Sequence, residues 1–155
     1  MGCGKSTVAR LLSRKLNRPF IDTDTAIAKR HLRPVEALFA TYGESWFRKE
    51  EYRILQKLHK FENYIVATGG GMAANSQNWR LLEKETTIFL DLPFPVLWEK
   101  IKNTRRPLVR RGEAALRKIW ESRLTYYELA NLHVVHMSYD PYFFCERIMT
   151  FLQEN

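Results

Sequence analysis

The 155-residue sequence predicts an α/β protein of three layers, a parallel sheet flanked by helices, and two observations predict it. Short apolar runs, such as residues 64–68 and 87–92, alternate along the chain with longer amphipathic stretches. No repeat, low-complexity tract or Pro/Gly/Ser-rich linker divides them, so residues 1–155 read as a single domain. Hydrophobic residues make up 45% of the chain, enough for one sizeable core, which excludes a disordered protein.

Taken in order, Val8, Leu11, Leu12 and Leu16 fall on one face, so a helix is expected from the Gly4-Lys5-Ser6-Thr7 turn to about Leu16. Residues 19–22 follow as a short strand. Residues 23–60 are helical in pattern, broken at Pro34, a favoured first helical position, and at Gly43, a helix stop. Residues 64–68 form a compact strand ending in three glycines, and residues 87–92 form another, bounded by Pro93. Both read as buried parallel strands. A helix from about Pro95, a basic stretch at 102–111, a helix to Ala130, a strand at 133–135 and a last helix from about Pro141 complete the chain, with four strands in all.

The chain carries 25 Lys+Arg against 17 Asp+Glu, a net +8, which calls for an anionic partner: nucleic acid, acidic lipid, or phosphorylated and carboxylated metabolites. Charge alone leaves these three open. The aromatic residues are not interleaved with the basic runs as a base-stacking platform requires, so no nucleic-acid partner is expected. Cys3 and Cys145 stand at opposite ends with no C-x-x-C, which speaks against a metal cluster or a disulfide framework. No run approaches 18 apolar residues and no leader-type apolar segment opens the chain, so a cytoplasmic protein without membrane attachment is expected.

Gly2-Cys3-Gly4-Lys5-Ser6-Thr7 matches the second half of the phosphate-binding P-loop, G-x-x-x-x-G-K-[ST]. In that motif glycines let backbone N–H groups turn inward around phosphates, the lysine reaches the β/γ oxygens and the hydroxyl binds Mg²⁺. The motif's first glycine would fall ahead of Met1, as would the strand that feeds such a loop, so the native start is expected to lie further upstream. The same residues satisfy Met-Gly-x-x-x-Ser, the N-myristoylation pattern, with Cys3 as a second acylation site, but that reading leaves the order of motifs downstream unexplained.

Asp22-Thr23-Asp24 lies at the end of a predicted strand, where ligand sites of parallel sheets gather. Two acidic residues two apart in an extended segment point the same way, one toward a metal and one toward an acceptor hydroxyl; alternatively Thr23 or Asp24 caps the next helix. Gly69-Gly70-Gly71 permits close backbone approach to a ligand or forms a plain tight turn. Arg48 reads either as a ligand-binding cation or as an i,i+3 surface partner of Glu51, and Arg123 has the same two readings.

In this order and spacing, the motifs resemble the shikimate kinase family over nearly the whole chain. The resemblance is carried by residues 4–7, by Phe20-Ile21-Asp22-Thr23-Asp24, by residues 39–44 with Phe47, Arg48 and Glu51, by the glycine triplet, and by Arg106-Pro107-Leu108. It implies a small monomer of the nucleoside-monophosphate-kinase type, with strand order 2-3-1-4-5 and strand 1 missing from this chain. It implies transfer of the γ-phosphoryl of ATP to the 3-hydroxyl of shikimate, in aromatic amino acid biosynthesis, with Mg²⁺. On the same resemblance, Gly2 to Thr7 hold the phosphates, Lys5 reaches the transferred group, and Ser6 and Asp22 serve the metal. Asp24 is then the base on the substrate hydroxyls, Arg48 and Arg123 clamp the carboxylate, and Gly70 and Gly71 contact the ring hydroxyls. Arg106 belongs to a lid at about 103–113, and the substrate region spans about 24–60. Glu99 stands where the family has an adenine-stacking arginine. The competing readings are another small P-loop kinase, acting on gluconate or a nucleoside monophosphate, and a truncated, inactive basic module.

Overall fold

The architecture comes from a computed structural model that describes residues 2–104 and 108–154. Helix α1 (Lys5–Leu16) starts at Gly4, whose φ of 84° is a left-handed conformation that glycine adopts without strain, and it turns Val8, Ala9 and Leu12 into the core. Strand β1 (Phe20–Asp22) leads directly into α2 (Thr23–Arg30). Then come α3 (Val35–Leu58), β2 (Ile65–Ala67), α4 (Ser76–Leu82), β3 (Ile88–Asp91), α5 (Phe94–Ile101), a 3₁₀ turn (Val109–Arg111), α6 (Glu113–Tyr127), β4 (Leu132–Val135) and α7 (Pro141–Glu154). The four expected strands and the α/β alternation are all present.

Local chemistry departs from the sequence reading at four points. Pro34 caps α3 in an extended conformation and stands just outside the helix, because its ψ of 150° is not helical. Gly43 kinks α3 (φ 78°, ψ 175°) and the helix resumes beyond it. Helix α4 lies in a stretch where the apolar pattern predicts no element; Asn75 starts it by accepting from the Gln77 N–H at 3.0 Å, a polar cap of ordinary kind. Asp22 and Asp24 do not share an extended segment, because the strand ends at Asp22 and Asp24 already lies in the first turn of α2.

The strands form two parallel pairs, β1 with β2 (Phe20 opposite Ile65) and β3 with β4 (Ile88 opposite Leu132). In the expected order these pairs correspond to strands 2-3 and 4-5. A cavity of about 610 Å³ lies between them, lined by Ile65 and Val66 of β2, Phe89 and Leu90 of β3, and Val8 and Leu12 of α1. The facing strands are therefore half-buried rather than fully buried as their apolar composition predicts. Around the cavity Leu90, Leu92, Val134, Phe144 and Ile148 pack with Val8 and Leu12 in the main core, while Ile27, Leu38, Phe47 and Ile54 form a second core between α2 and α3.

Candidate active site

The carboxyl ends of β1 and β2, together with the N-terminus of α1, bring most of the predicted site residues together. Asp22 ends β1 and uses both carboxylate oxygens: Oδ1 accepts from the Thr25 N–H at 3.0 Å and caps α2, while Oδ2 accepts from the Ser6 hydroxyl at 2.5 Å. Capping and site duties thus fall on one side chain. The Ser6 hydroxyl and the Asp22 carboxylate present the hard oxygen donors that Mg²⁺ takes beside phosphates, so the pair suits that ion. Among the described residues no cluster of three or more His, Cys, Asp or Glu side chains forms a metal cage of its own.

Lys5 sits in the first turn of α1 and donates to the Cys3 Sγ at 3.6 Å. Its ammonium is held above the usual lysine range, chiefly by its interaction with Cys3, against the penalty of burial and with help from Tyr127 and Asp24. Burial in turn opposes a charged Cys3, but nearby positive charge, that of Lys5 foremost, outweighs it together with the hydrogen bonds from Lys5, so the thiol lies below its ordinary value. Lys5 is thus a permanent cation at the N-terminus of a helix, where backbone N–H groups favour an anion. Beside it, Gly4 packs its α-carbon against the Tyr139 ring and Gly2 against Ile101. Thr7 is exposed, and its N–H closes the first turn on the Gly4 carbonyl.

The glycine triplet after β2 meets a different partner at each position. The Gly69 N–H donates to the buried Thr23 Oγ1 at 2.9 Å, and the Gly70 carbonyl accepts from the Tyr127 hydroxyl at 2.6 Å. A Cβ on Gly71 would fall on the Arg48 guanidinium, and one on Gly69 would meet Asp24 Oδ1 at 2.5 Å and Glu51 Oε1 at 2.8 Å. Close approach is therefore the reason for glycine at both ends of the triplet.

Arg48 is the i,i+3 partner of Glu51, at 2.5 Å, but this is no surface pair: Glu51 is 1% exposed. A second arm of the guanidinium holds Glu44 at 2.8 Å. Burial pushes the Glu51 carboxyl up despite Arg48, and the charge of Asp24 adds to the rise. Arg123, in α6, is close enough for its charge to lower the Glu44 and Glu51 carboxyls. Arg106 lies outside the described residues. Glu99 of α5 pairs at 2.6 Å with Lys102, the residue that follows the helix, and the Lys100 ammonium stands over the Tyr139 ring. Glu51 and Tyr127 thus join the residues that the sequence points to, and Thr23, read from the sequence as a helix cap, accepts from Gly69 instead. Glu51 had a sequence signal in its spacing from Arg48.

A helix that starts on the P-loop sequence Gly4-Lys5-Ser6-Thr7, with a hydroxyl–carboxylate pair and an arginine-flanked cleft on parallel strands with flanking helices, places the chain in the class of P-loop phosphotransferases. A family model described as shikimate kinase matches residues 1–153, and the chain belongs to that family. The shikimate kinase of Aquifex aeolicus is 39% identical over 136 residues, covering 86% of this chain and 81% of that protein. The bifunctional shikimate kinase/3-dehydroquinate synthase of Thermotoga maritima is 42% identical over 127 residues, 82% of this chain and 26% of that longer protein. The structure of the Acinetobacter baumannii shikimate kinase in complex with shikimate superposes with a TM-score of 0.92 at 28% identity, covering 100% of this chain and 89% of that one. Among the described residues no helix is long and apolar enough to cross a membrane.

Proposed function

We infer that this chain transfers the γ-phosphoryl group of ATP to the 3-hydroxyl of shikimate, giving shikimate 3-phosphate and ADP. The observation that carries the reading is the gathering of Asp24, Glu51-held Arg48 and the glycine triplet at the strand ends next to Lys5 and Ser6. Shikimate is a carboxylated ring with hydroxyls, and it needs a planar cation for the one and hydrogen-bonding groups for the other. Arg48 and Arg123 supply the first, since guanidinium matches carboxylate geometry. Asp24 and the N–H groups of Gly70 and Gly71 supply the second.

Phosphoryl transfer is mostly positioning and charge stabilisation. Lys5 and the N-terminus of α1 draw the β- and γ-phosphates to the loop. Asp24 accepts the proton of the 3-hydroxyl as its oxygen bonds to the γ-phosphorus and the bond to the β-phosphate oxygen breaks, releasing ADP. Ser6 and Asp22 would hold Mg²⁺, which neutralises charge on the phosphates when bound. The assignment of Arg106 to a lid at about 103–113 rests on the family resemblance, as does the substrate region at about 24–60, while the unbroken α/β alternation supports a single domain over 1–155. A cleft closed by a cationic lid would exclude water as a competing acceptor. Action as a cytoplasmic monomer fits the same reading.

The test is ADP release from ATP and Mg²⁺ with shikimate, against gluconate and nucleoside monophosphates as rival acceptors. Release that depends on shikimate alone supports the reading. Release with a rival acceptor and none with shikimate overturns it.

A further inference from the structure

Helix α6 brings a second residue to the cleft, one turn beyond Arg123. Tyr127 closes α6, and its hydroxyl donates to the Gly70 carbonyl at 2.6 Å, joining segments 57 positions apart. Its ring leans on Phe89 of β3, with centroids 5.2 Å apart at 40°, so the hydroxyl is delivered by a side chain with little freedom to swing.

The consequence follows from peptide geometry. The carbonyl of Gly70 and the N–H of Gly71 belong to one planar trans unit, so they point in opposite directions. A glycine has no side chain to fix that plane, and among the described residues neither the Gly70 nor the Gly71 N–H donates to a backbone carbonyl. We infer that Tyr127 is a positioning residue for the acceptor substrate: by holding the Gly70 carbonyl toward α6, its hydroxyl turns the Gly71 N–H to the opposite side, into the cleft beside Arg48. The identity of the acceptor rests on the shikimate reading; the hold on the peptide plane does not.

The test is Tyr127→Phe, which keeps the ring against Phe89 and deletes only the hydroxyl. Loss of one hydrogen bond of about 1 kcal/mol predicts a KM for shikimate raised roughly fivefold, with kcat and the KM for ATP within about twofold. The ¹⁵N order parameter of the Gly71 amide should fall from the rigid range near 0.85 to below about 0.6. A merely structural role would instead lower the melting temperature and move both KM values together, and that result overturns the inference. So does an unchanged Gly71 order parameter. If the unsubstituted protein turns over no shikimate, the substrate reading fails, and the order parameter alone then decides Tyr127: a fall supports its role and no change refutes it.

Discussion

The Arg48 guanidinium lies across the α-carbon of Gly71, held from behind by the buried Glu51 and from the side by Glu44. A methyl group at position 71 therefore displaces the tip of a flexible side chain, and no backbone has to move. Gly71→Ala should fold almost normally and still fail to present Arg48. The expected result is a KM for shikimate raised roughly tenfold or more, the worth of a charge-assisted hydrogen bond of about 1.5–3 kcal/mol, with the KM for ATP little changed. Equal losses for both substrates would show that Arg48 does not serve the acceptor.

Asp24 stands against Gly69, within reach of the charges of Lys5 and Glu51. As the proposed base it should matter to the chemical step more than to binding. Asp24→Asn is expected to cut kcat by about 10²- to 10⁴-fold, the usual contribution of a general base, while shikimate binding measured by calorimetry weakens far less. A kcat within tenfold of the unsubstituted protein would remove Asp24 from that role.

Glu50 is 1% exposed on α3, accepting from Arg53 and paired with His31 at 2.8 Å, with Arg30 at 3.9 Å. Burial pushes its carboxyl up, and the His31 and Arg53 contacts together outweigh burial, so the pKa falls below the ordinary 4.5. The native state therefore binds this proton more weakly than the unfolded chain does. The resulting stability is present above pH 4.5 and is lost as the pH falls through the lower native value. Glu50→Gln should be less stable by about 1–2 kcal/mol at pH 7, and the deficit should shrink as the pH drops below 4.5. Urea unfolding at pH 7, 5 and 3 checks this; a deficit that stays the same at pH 3 would assign the loss to packing.

How much could be read in advance follows from where the physics resides. Helix α1 and the four strands were legible because Val8, Leu11, Leu12 and Leu16 keep a helical period and because proline and glycine punctuate the short apolar runs. The Arg48–Glu51 spacing was legible too, but its burial was not, since that depends on α2 and the glycine triplet packing over α3. Tyr127 on Gly70, Thr23 on Gly69 and Lys5 on Cys3 had no local signature. The first two join distant segments, and the third depends on how the loop turns before α1. The direction of Asp22 and Asp24 was inferred from strand alternation, whereas a helix begins between them.

The 610 Å³ cavity between β2 and β3 makes the last prediction. Each of these strands has one hydrogen-bonded partner, β1 or β4, and turns its other side to the cavity, where apolar side chains of α1 also point. Such edges accept another strand readily. An extended apolar segment of about five residues, ending in glycine and joined ahead of Met1, would run parallel to both and lead into the Gly2–Gly4 turn, as a strand leads into a P-loop. Burying three or four apolar side chains at about 1.5–3 kcal/mol each exceeds the roughly 1–2 kcal/mol per residue lost in ordering, by a few kcal/mol once the ladder hydrogen bonds are added. For a chain of this size that corresponds to a melting temperature higher by roughly 5–10 °C. Calorimetry of the chain with and without the segment tests it, and a glycine–serine segment of equal length is the control. If the two extensions give the same melting temperature, the edges of β2 and β3 are not open to pairing.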